Sequence, residues 1–472
     1  MQWGAWQPDK AGPNAGVCTT CEGVYPISAN KGIGYAPFPS LSVPAGAAAL
    51  AAAPRGALNV QKPDGNWSFF AATSSNLYQM QSDYSFTSID SGMAVPPGDD
   101  MSMVLFGSKL IYTNTTDGMQ AYDVSTSTAE GAVAGAPAAR ALVVINNVLF
   151  ALGTVTNPDI MQSSDIGQYN VWTGGASDGK EFEDGGALIG GADLKNGNGV
   201  IFQERAIRLV SFSDGATTYT LQKLSDGIGC LAERTIIAHD GKVAWWDDDG
   251  PYMMEAGGAP VPIGAEKINR WLNTYVTPAN YENMQGQVDP DHKLFLWRVD
   301  GSQILAYSYL INEWTVLPAS TTWLSRIATP AQTIDALTGT IDNLTGTING
   351  LGGGNAPQLA ALNSSLKFST FTGTNMAATL QTCAYADAAT QRFRMASPED
   401  DCSSGTLEIG VADRLADSLA WKSGVTLSAS GRAHLRARGK VFAFRRNIPA
   451  AATWSYSTGI ENIVTTPSGP RS

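Results

Sequence analysis

The chain has 472 residues, of which 43% are hydrophobic and 15% are charged, with 50 glycines, 24 prolines and a net charge of −12. Many turn formers and few charges predict a turn-rich β protein and exclude a bundle of amphipathic helices. The acidic balance excludes a surface that binds nucleic acid over most of its area, because phosphate binding depends on Lys and Arg. Five cysteines in a chain of this length exclude a disulfide framework. The sequence has no basic-then-apolar leader and no run of about 18 apolar residues, so we expect synthesis in the cytosol and no membrane span.

The first 58 residues lack the periodicity of a strand or a helix. They combine prolines with aromatic residues such as Trp3 and Trp6. A segment of this kind has too little apolar surface to fold alone, so we predict an extended arm, residues 1–58, that lies on another surface. Cys18 and Cys21 have the spacing of a zinc or redox site. A structural zinc needs four ligands and no second Cys or His pair is near, so incidental cysteines are favoured.

From residue 59 onwards, short apolar segments recur at regular intervals. Their centres lie about 43 residues apart, near Leu77, Leu110, Leu149, Ile207, Val243 and Leu294. Repeats of this length, each made of several short strands, are typical of the blades of a β-propeller, whose sheets bury their faces only against one another. We predict an all-β fold with a propeller of six to seven blades over residues 59–390. A β-sandwich with long loops would give a similar pattern.

Two hairpins are the clearest units of these repeats. Residues 242–246 and 252–255 flank Asp249-Gly250, and residues 293–299 and 302–309 flank Asp300-Gly301. Asp-Gly between apolar runs predicts a type I′ turn, which needs positive φ at both central residues. A looser third copy joins residues 109–112 to 119–124. The acids at 247–249 could suggest calcium, but no bidentate Glu follows at the required offset, so a turn is favoured.

Residues 333–354 interrupt the propeller with three consecutive seven-residue copies. Ile and Leu recur at heptad-like spacing, but Gly in each copy opposes a continuous helix. We predict an inserted loop, a candidate channel gate or inter-subunit contact, with a flexible linker as the alternative. Its repeated residues are Thr333, Ile334, Leu337, Thr340, Ile341, Leu344, Thr347, Ile348 and Leu351.

The last segment, residues 391–472, is predicted to form a small β-rich domain. Strict alternation places His434, Arg436 and Arg438 on one face of a strand. Together with Lys440, Arg445 and Arg446 they form the one concentrated positive region of an acidic chain. We predict a partner-contact face, which would bind either phosphates or the acidic face of a neighbouring subunit.

The sequence contains no motif that indicates catalysis. Paired carboxylates occur at 181–184 and 399–401, without the context of a nucleophile, a phosphate-binding loop or a metal-binding helix. We therefore expect no enzymatic activity, no cofactor and no metal site.

Several segments resemble the tail hub or nozzle proteins of short-tailed bacteriophages, also described as tail accessory or stabilisation proteins. They are residues 6–9 (WQPD), 23–26 (GVYP), 34–40 (GYAPFPS), 205–210 (RAIRLV), 241–246 (GKVAWW), 250–254 (GPYMM) and 439–446 (GKVFAFRR). The resemblance implies a structural virion protein, made in the host cytoplasm, that forms a ring, a hexamer in that family's pattern, below portal and adaptor. Such a ring extends the DNA exit channel, lets the genome pass without specific binding and anchors fibres, a spike or a plug.

Two other classes of protein stay open from the sequence. A carbohydrate-binding or carbohydrate-cleaving propeller would use surface Trp and Tyr to stack on sugars, although Trp in regular strands is more often part of a core. A trimeric spike or fibre protein would more often show β-helical repeats.

Overall fold

We describe the chain from a computed structural model, which covers residues 1–30, 32–212, 219–255, 257–276, 281, 283–328 and 357–467. The predicted insertion at 333–354 lies outside these residues. Within them, helix is limited to α1 (Asn269–Leu272), the short 3-10 helices Pro8–Lys10 and Glu233–Thr235, and 3-10 positions at Tyr281 and Asn283. No described helix has the length and apolarity needed to cross a membrane.

The N-terminal residues differ from the expected extended arm, because they form three strands: β1 (Cys18–Glu22), β2 (Val24–Ala29) and β3 (Gly32–Pro37). Further along, Ser42 bridges Thr370 and Ala49 bridges Lys367, at the outer side of the last propeller sheet. The prediction that this segment lies on another surface therefore has a structural counterpart. Strands β2 and β3 pair with each other as a local hairpin, whereas β1 forms because partners distant in sequence supply its hydrogen bonds.

Within the described residues, five separate four-stranded antiparallel sheets, a sixth set of four antiparallel strands that belongs to a 14-stranded sheet, and one three-stranded sheet follow one another along the chain. The first sheet consists of β4 (Gly56–Gln61), β5 (Trp67–Ala72), β6 (Asn76–Met80) and β7 (Phe86–Ser91). The second consists of β8 (Ser102–Phe106), β9 (Lys109–Thr113), β10 (Gln120–Asp123) and β11 (Thr128–Ala132). The third consists of β12 (Ala139–Ile145), β13 (Val148–Thr154), β14 (Ile160–Ser163) and β15 (Asp178–Glu181). The next two are β16 (Leu188–Asp193), β17 (Asn198–Gln203), β18 (Ala206–Phe212) and β19 (Tyr219–Asp226); and β20 (Ile237–His239), β21 (Lys242–Asp247), β22 (Gly250–Glu255) and β23 (Val261–Pro262). The last two are β24 (Gln285–Asp289), β25 (Leu294–Arg298), β26 (Ile304–Ser308) and β27 (Glu313–Leu317); and β28 (Thr321–Ala328), β29 (Pro357–Asn363) and β30 (Phe368–Thr370).

These sheets form a closed ring, which confirms the predicted all-β propeller. The first strand of each sheet contacts the first strand of the next, from β4 through β8, β12, β16, β20 and β24 to β28, and β28 returns to β4. The ring thus holds six four-stranded blades and the three-stranded sheet, within the predicted range of six to seven.

Alternating side chains explain why the blades pack face to face. Phe69 joins the apolar cluster shared with the last sheet, whereas its neighbour Phe70 joins the cluster shared with the second blade. Trp245 and Trp246 likewise point into two different clusters, on opposite sides of the fifth blade. Successive strand residues point to opposite faces, so an unbroken apolar run buries both faces of a blade.

The C-terminal domain begins earlier than predicted, because its strands start at residue 378. They are β31 (Ala378–Thr382), β32 (Tyr385–Asp400), β33 (Thr406–Ala412), β34 (Ala420–Trp421), β35 (Val425–Thr426), β36 (Ala437–Ile448) and β37 (Ser457–Pro467). Strand β1 pairs with β31 and contacts β27 through a parallel bridge between Glu22 and Val316, and β3 reaches β37. The N-terminal strands therefore connect the sixth blade and the C-terminal domain into one continuous sheet.

The predicted hairpins pair as expected, but neither Asp-Gly turn has the predicted type I′ conformation. Between β21 and β22, Asp247 pairs with Gly250, and neither of the two residues in the turn, Asp248 and Asp249, has positive φ. Trp245 faces Tyr252 across β21 and β22, and Arg298 faces Ile304 across β25 and β26. Asp300 and Gly301 do not have positive φ, so the type I′ prediction is wrong there. Instead, the Asp300 carboxylate accepts hydrogen bonds from the backbone N–H groups of Ser302 (2.7 Å) and Gln303 (2.8 Å). This side-chain turn replaces a backbone conformation that would need glycine-like freedom.

Candidate functional site

The segment leading into β36 carries a row of exposed cations. Ala433, Leu435 and Ala437 are buried, and the alternate residues His434, Arg436, Arg438 and Lys440 are exposed. The strand alternation that suggested one basic face is present in this segment.

Strand pairing brings two further arginines to the same place. Strand β32 runs antiparallel to β36, with Arg392 directly opposite Arg438, and Arg394 lies two residues further along. Lys422, which follows β34, completes the lining. The result is an open groove of about 700 Å³, here called the cationic groove, lined by the charged or titratable side chains of Arg392, Arg394, Lys422, His434, Arg436 and Arg438.

No described residue supplies the groove with a counter-charge. Among the described residues, none of these six side chains forms an ion pair, and the buried apolar residues Phe393, Leu435 and Ala437 form its floor. Like charges directly opposite each other on a sheet destabilise it. The arrangement is therefore suited to an anionic partner with several negative charges.

Arg445 and Arg446, which the sequence grouped with this face, lie elsewhere. The Arg446 side chain is 0% exposed, and its guanidinium donates to the equally buried carboxylate of Asp400 (2.9 Å) and to the carbonyl oxygens of Cys402 and Ser404. Arg445 donates to Gln381 (2.7 Å) and Glu408 (3.2 Å) and stacks over the Trp421 ring at 4.0 Å. Both arginines are structural, because their charges are already paired within the domain.

Sequence reasoning missed Arg392, Arg394 and Lys422. Only the register between β32 and β36 brings Arg392 next to Arg438, and the two are 46 positions apart. The alternation Arg392-Phe393-Arg394 was the available signal, since it repeats the exposed–buried–exposed pattern of residues 434–438.

A second polar cluster, which the sequence pattern does not predict, lies on the propeller axis. Glu233 is half-buried within the ring of first strands; Ser102 donates to its carboxylate (2.9 Å) and accepts from the N–H of Leu142 (2.9 Å). Burial raises the pKa of Glu233 to about 7, against the opposing effects of the Ser102 hydrogen bond and the Arg140 charge. The neighbouring Arg234 pairs with Asp100.

The segment around Glu233 occupies the centre of the ring. A cavity of about 220 Å³ beside it is lined from five different blades, by residues that include Gly56, Ser102, Leu142, Gln285 and Trp323. A side chain at Gly190 would lie 2.9 Å from Ile236 and 3.0 Å from Glu233. The described residues thus fill the propeller axis with protein, leaving small polar cavities there.

The other candidates from the sequence have structural partners. Cys18 and Cys21 are buried in β1 and unoxidised. Burial raises the pKa of the Cys21 thiol well above its ordinary value, which disfavours the reactive thiolate. Asp247, Asp248 and Asp249 bring carboxylate oxygens within 4.8 Å of one another at the turn between β21 and β22.

Four of the paired carboxylates also have polar partners within the fold. Asp184 pairs with Arg208 and Lys223, and Glu181 accepts from Asn157 (2.7 Å). Asp401 accepts from the N–H of Ser455 (2.8 Å), and Asp400 is held by Arg446 as described above. The candidate loop residues Thr333 to Leu351 lie outside the described residues.

Comparisons with known proteins assign no family to the chain. No family model matches the chain, and no curated protein matches it. Among solved structures it is similar to the WD40 repeats of RRP9 (9% identity, TM-score 0.39, 62% of this chain and 88% of that one) and to streptogramin B lyase (10%, 0.41, 68% and 94%). It is also similar to the extracellular domain of a one-component system from B. thetaiotaomicron (9%, 0.44, 81% and 47%). The fold class therefore rests on the ring of blades described above: the chain is a β-propeller with an attached β-rich domain.

Proposed function

We propose that this chain is a structural subunit of a short-tailed phage tail, which assembles with copies of itself into a nozzle or hub ring. The observation that supports this most is the continuous sheet that joins the sixth blade, the N-terminal strands and the C-terminal domain. It makes the propeller and its appendage a rigid building unit. In this proposal the chain is not an enzyme, takes no cofactor and resides in the virion.

The filled axis limits how such a ring could conduct a genome. Glu233 and its neighbours close the centre of each propeller, so DNA would pass between subunits instead of through a blade ring. Each chain contributes a net charge of −12, and six copies would present a strongly acidic wall. Such a wall would not retain phosphates, because it repels them and releases no bound counterions.

The burial of the tryptophan side chains argues against the carbohydrate-binding alternative. All 12 fall within the described residues; nine are buried and three, Trp67, Trp271 and Trp421, are half-buried. Trp421 has one face covered by Arg445. A sugar-stacking site needs an open aromatic face, which none of these side chains presents in full.

Native mass spectrometry of the purified full-length chain, combined with electron microscopy, tests the proposal. We expect a closed ring of about six copies, the geometry that heterologous contacts produce when their rotation closes. A chain that stays monomeric at every concentration and salt level, and that binds defined oligosaccharides on a glycan array, would favour the carbohydrate-binding alternative instead.

The insertion at 333–354 has its own test. Deleting it should leave a folded monomer with unchanged circular dichroism and impair ring formation or DNA retention in particles. Unaffected rings and particles would remove the proposed role as a gate or inter-subunit contact.

A further inference from the structure

We propose that the cationic groove is the docking site for the acidic surface of a second copy of this chain. The inference rests on the proposed ring, and it specifies which surface of the subunit makes the contact and by what chemistry. The groove is the part of the described surface where Arg392, Arg394, Lys422, Arg436 and Arg438 converge without a counter-ion.

The isolated groove carries an unfavourable charge arrangement. Arg392 and Arg438 are direct cross-strand partners, and Arg394 and Arg436 continue the same row. A single carboxylate would neutralise only a fraction of five permanent cations. The partner must therefore present several negative charges in a row, as an acidic protein surface or a phosphate backbone does.

Charge complementarity favours the acidic protein surface. Without the five groove cations, the rest of the chain carries five more net negative charges than the −12 of the whole. A second copy is thus attracted to the groove by its overall charge, whereas the same overall charge repels nucleic acid. Complementary charge of this kind steers association and sets the register of the contact.

The chemistry of the groove also agrees with carboxylates. Arginine predominates over lysine in its lining, and the guanidinium fork matches a carboxylate with two parallel hydrogen bonds. The aromatic residue in the lining, Phe393, is 1% exposed, so no ring is available to stack on unpaired bases. Elsewhere in the domain, Arg445 and Arg446 already bind Glu408 and Asp400.

Because the groove and the acidic surfaces are different patches, the contact between two copies is heterologous. A heterologous contact repeats from copy to copy and closes into a ring when its rotation permits. The inference therefore predicts a ring whose assembly weakens steeply as salt screens the contact.

The test compares the wild-type chain with the double variant Arg436→Glu/Arg438→Glu by sedimentation velocity and native mass spectrometry at about 50 and about 500 mM NaCl. The control is Arg414→Glu/Arg432→Glu, which makes the same change in net charge at two exposed positions outside the groove lining. Arg436→Gln/Arg438→Gln provides a milder form. Circular dichroism and thermal melting establish that all variants are folded.

At low salt we expect the wild type and the control to associate, and the dissociation constant of the groove variant to rise by at least about tenfold. The glutamine variant should fall between them, and high salt should weaken the wild type. Rings of the groove variant that match the wild type would overturn the inference and leave the proposed ring standing. A wild type that never associates would overturn both.

A second measurement, fluorescence anisotropy with labelled single-stranded and double-stranded DNA, separates the phosphate partner from the protein partner. We expect no groove-dependent binding to either DNA. Loss of DNA binding in the groove variant, with its association unchanged, would assign the groove to nucleic acid and contradict the proposal.

Discussion

Strand β36 and the segment before it carry cations at both ends, and the two ends treat them in opposite ways. Residues 434–438 expose theirs in a groove where no described residue supplies a counter-charge, whereas Arg445 and Arg446 are held by carboxylates from other strands. The residues themselves are chemically alike. A basic strand is therefore available to a partner only where no carboxylate of the same chain lies beside it.

The charged residues on the propeller axis also have partners within the chain, as Arg445 and Arg446 do. Glu233 is half-buried and accepts a hydrogen bond from one hydroxyl, and Arg234 and Asp100 pair beside it. The charges at Arg445 and Arg446 and those on the axis are paired within the subunit. The charges in the groove have no partner among the described residues. Four predictions test this division, from the largest expected effect to the smallest.

Replacing Arg446 should be the most damaging change. In Arg446→Met the Asp400 carboxylate, 1% exposed, is left buried without its partner, so the free energy of unfolding should fall by about 3–5 kcal/mol. Urea denaturation followed by tryptophan fluorescence measures it. The double variant Arg446→Met/Asp400→Leu removes both charges and should recover most of the loss. A loss below about 1 kcal/mol in the single variant would show that the pair is not structural.

Glu233 should make stability depend on pH. Its pKa is raised from 4.5 to about 7 in the folded chain, so the native state holds a proton that the unfolded state releases. The corresponding stability is fully present below pH 4.5 and is lost as the pH rises through 7, by roughly 3 kcal/mol in total. Glu233→Gln should flatten this part of the profile in urea titrations between pH 5 and 8. An unchanged slope in the variant would assign the pH dependence to other groups.

Arg445 should matter less, because its pair is partly solvated. Arg445→Ala removes the bond to Glu408 and the stacking on Trp421, at a cost of about 1 kcal/mol in the free energy of unfolding. Arg445→Lys keeps the charge without the planar group and should recover only part of it. Full recovery by lysine would mean that the charge alone is responsible.

In the groove, replacing an arginine should stabilise the isolated chain instead of destabilising it. Arg438→Gln relieves the repulsion from Arg392 and should stabilise the isolated chain by a few tenths of a kcal/mol at low salt, an advantage that disappears at high salt. Arg432→Gln, which is exposed outside the groove, is the matched control and should change little. Destabilisation by Arg438→Gln at low salt would show that this arginine has a structural role after all. Measurements at protein concentrations below self-association keep the effect of the partner out of the comparison.

Local chemistry was sufficient to predict the blades. Unbroken apolar runs, such as those that contain Phe69 and Phe70 or Trp245 and Trp246, specify strands whose two faces are both apolar. Their recurrence along the chain requires sheets that cover one another, which a ring achieves. The hairpins at Trp245–Tyr252 and Arg298–Ile304 also follow from sequence, since their partners are only a few residues apart.

Long-range pairing decided the rest. In the N-terminal segment, β2 and β3 pair with each other locally, but β1 exists because β27 and β31 offer hydrogen-bond partners hundreds of residues away. The bridge from β3 to β37 is equally long-range. The placement of Glu233 on the axis depends on the closure of the whole ring. Alternation near residue 434 correctly predicted which side chains share a face. Only the tertiary structure determined which of the nearby arginines meet a carboxylate, because a counter-charge can come from any strand that the fold brings alongside.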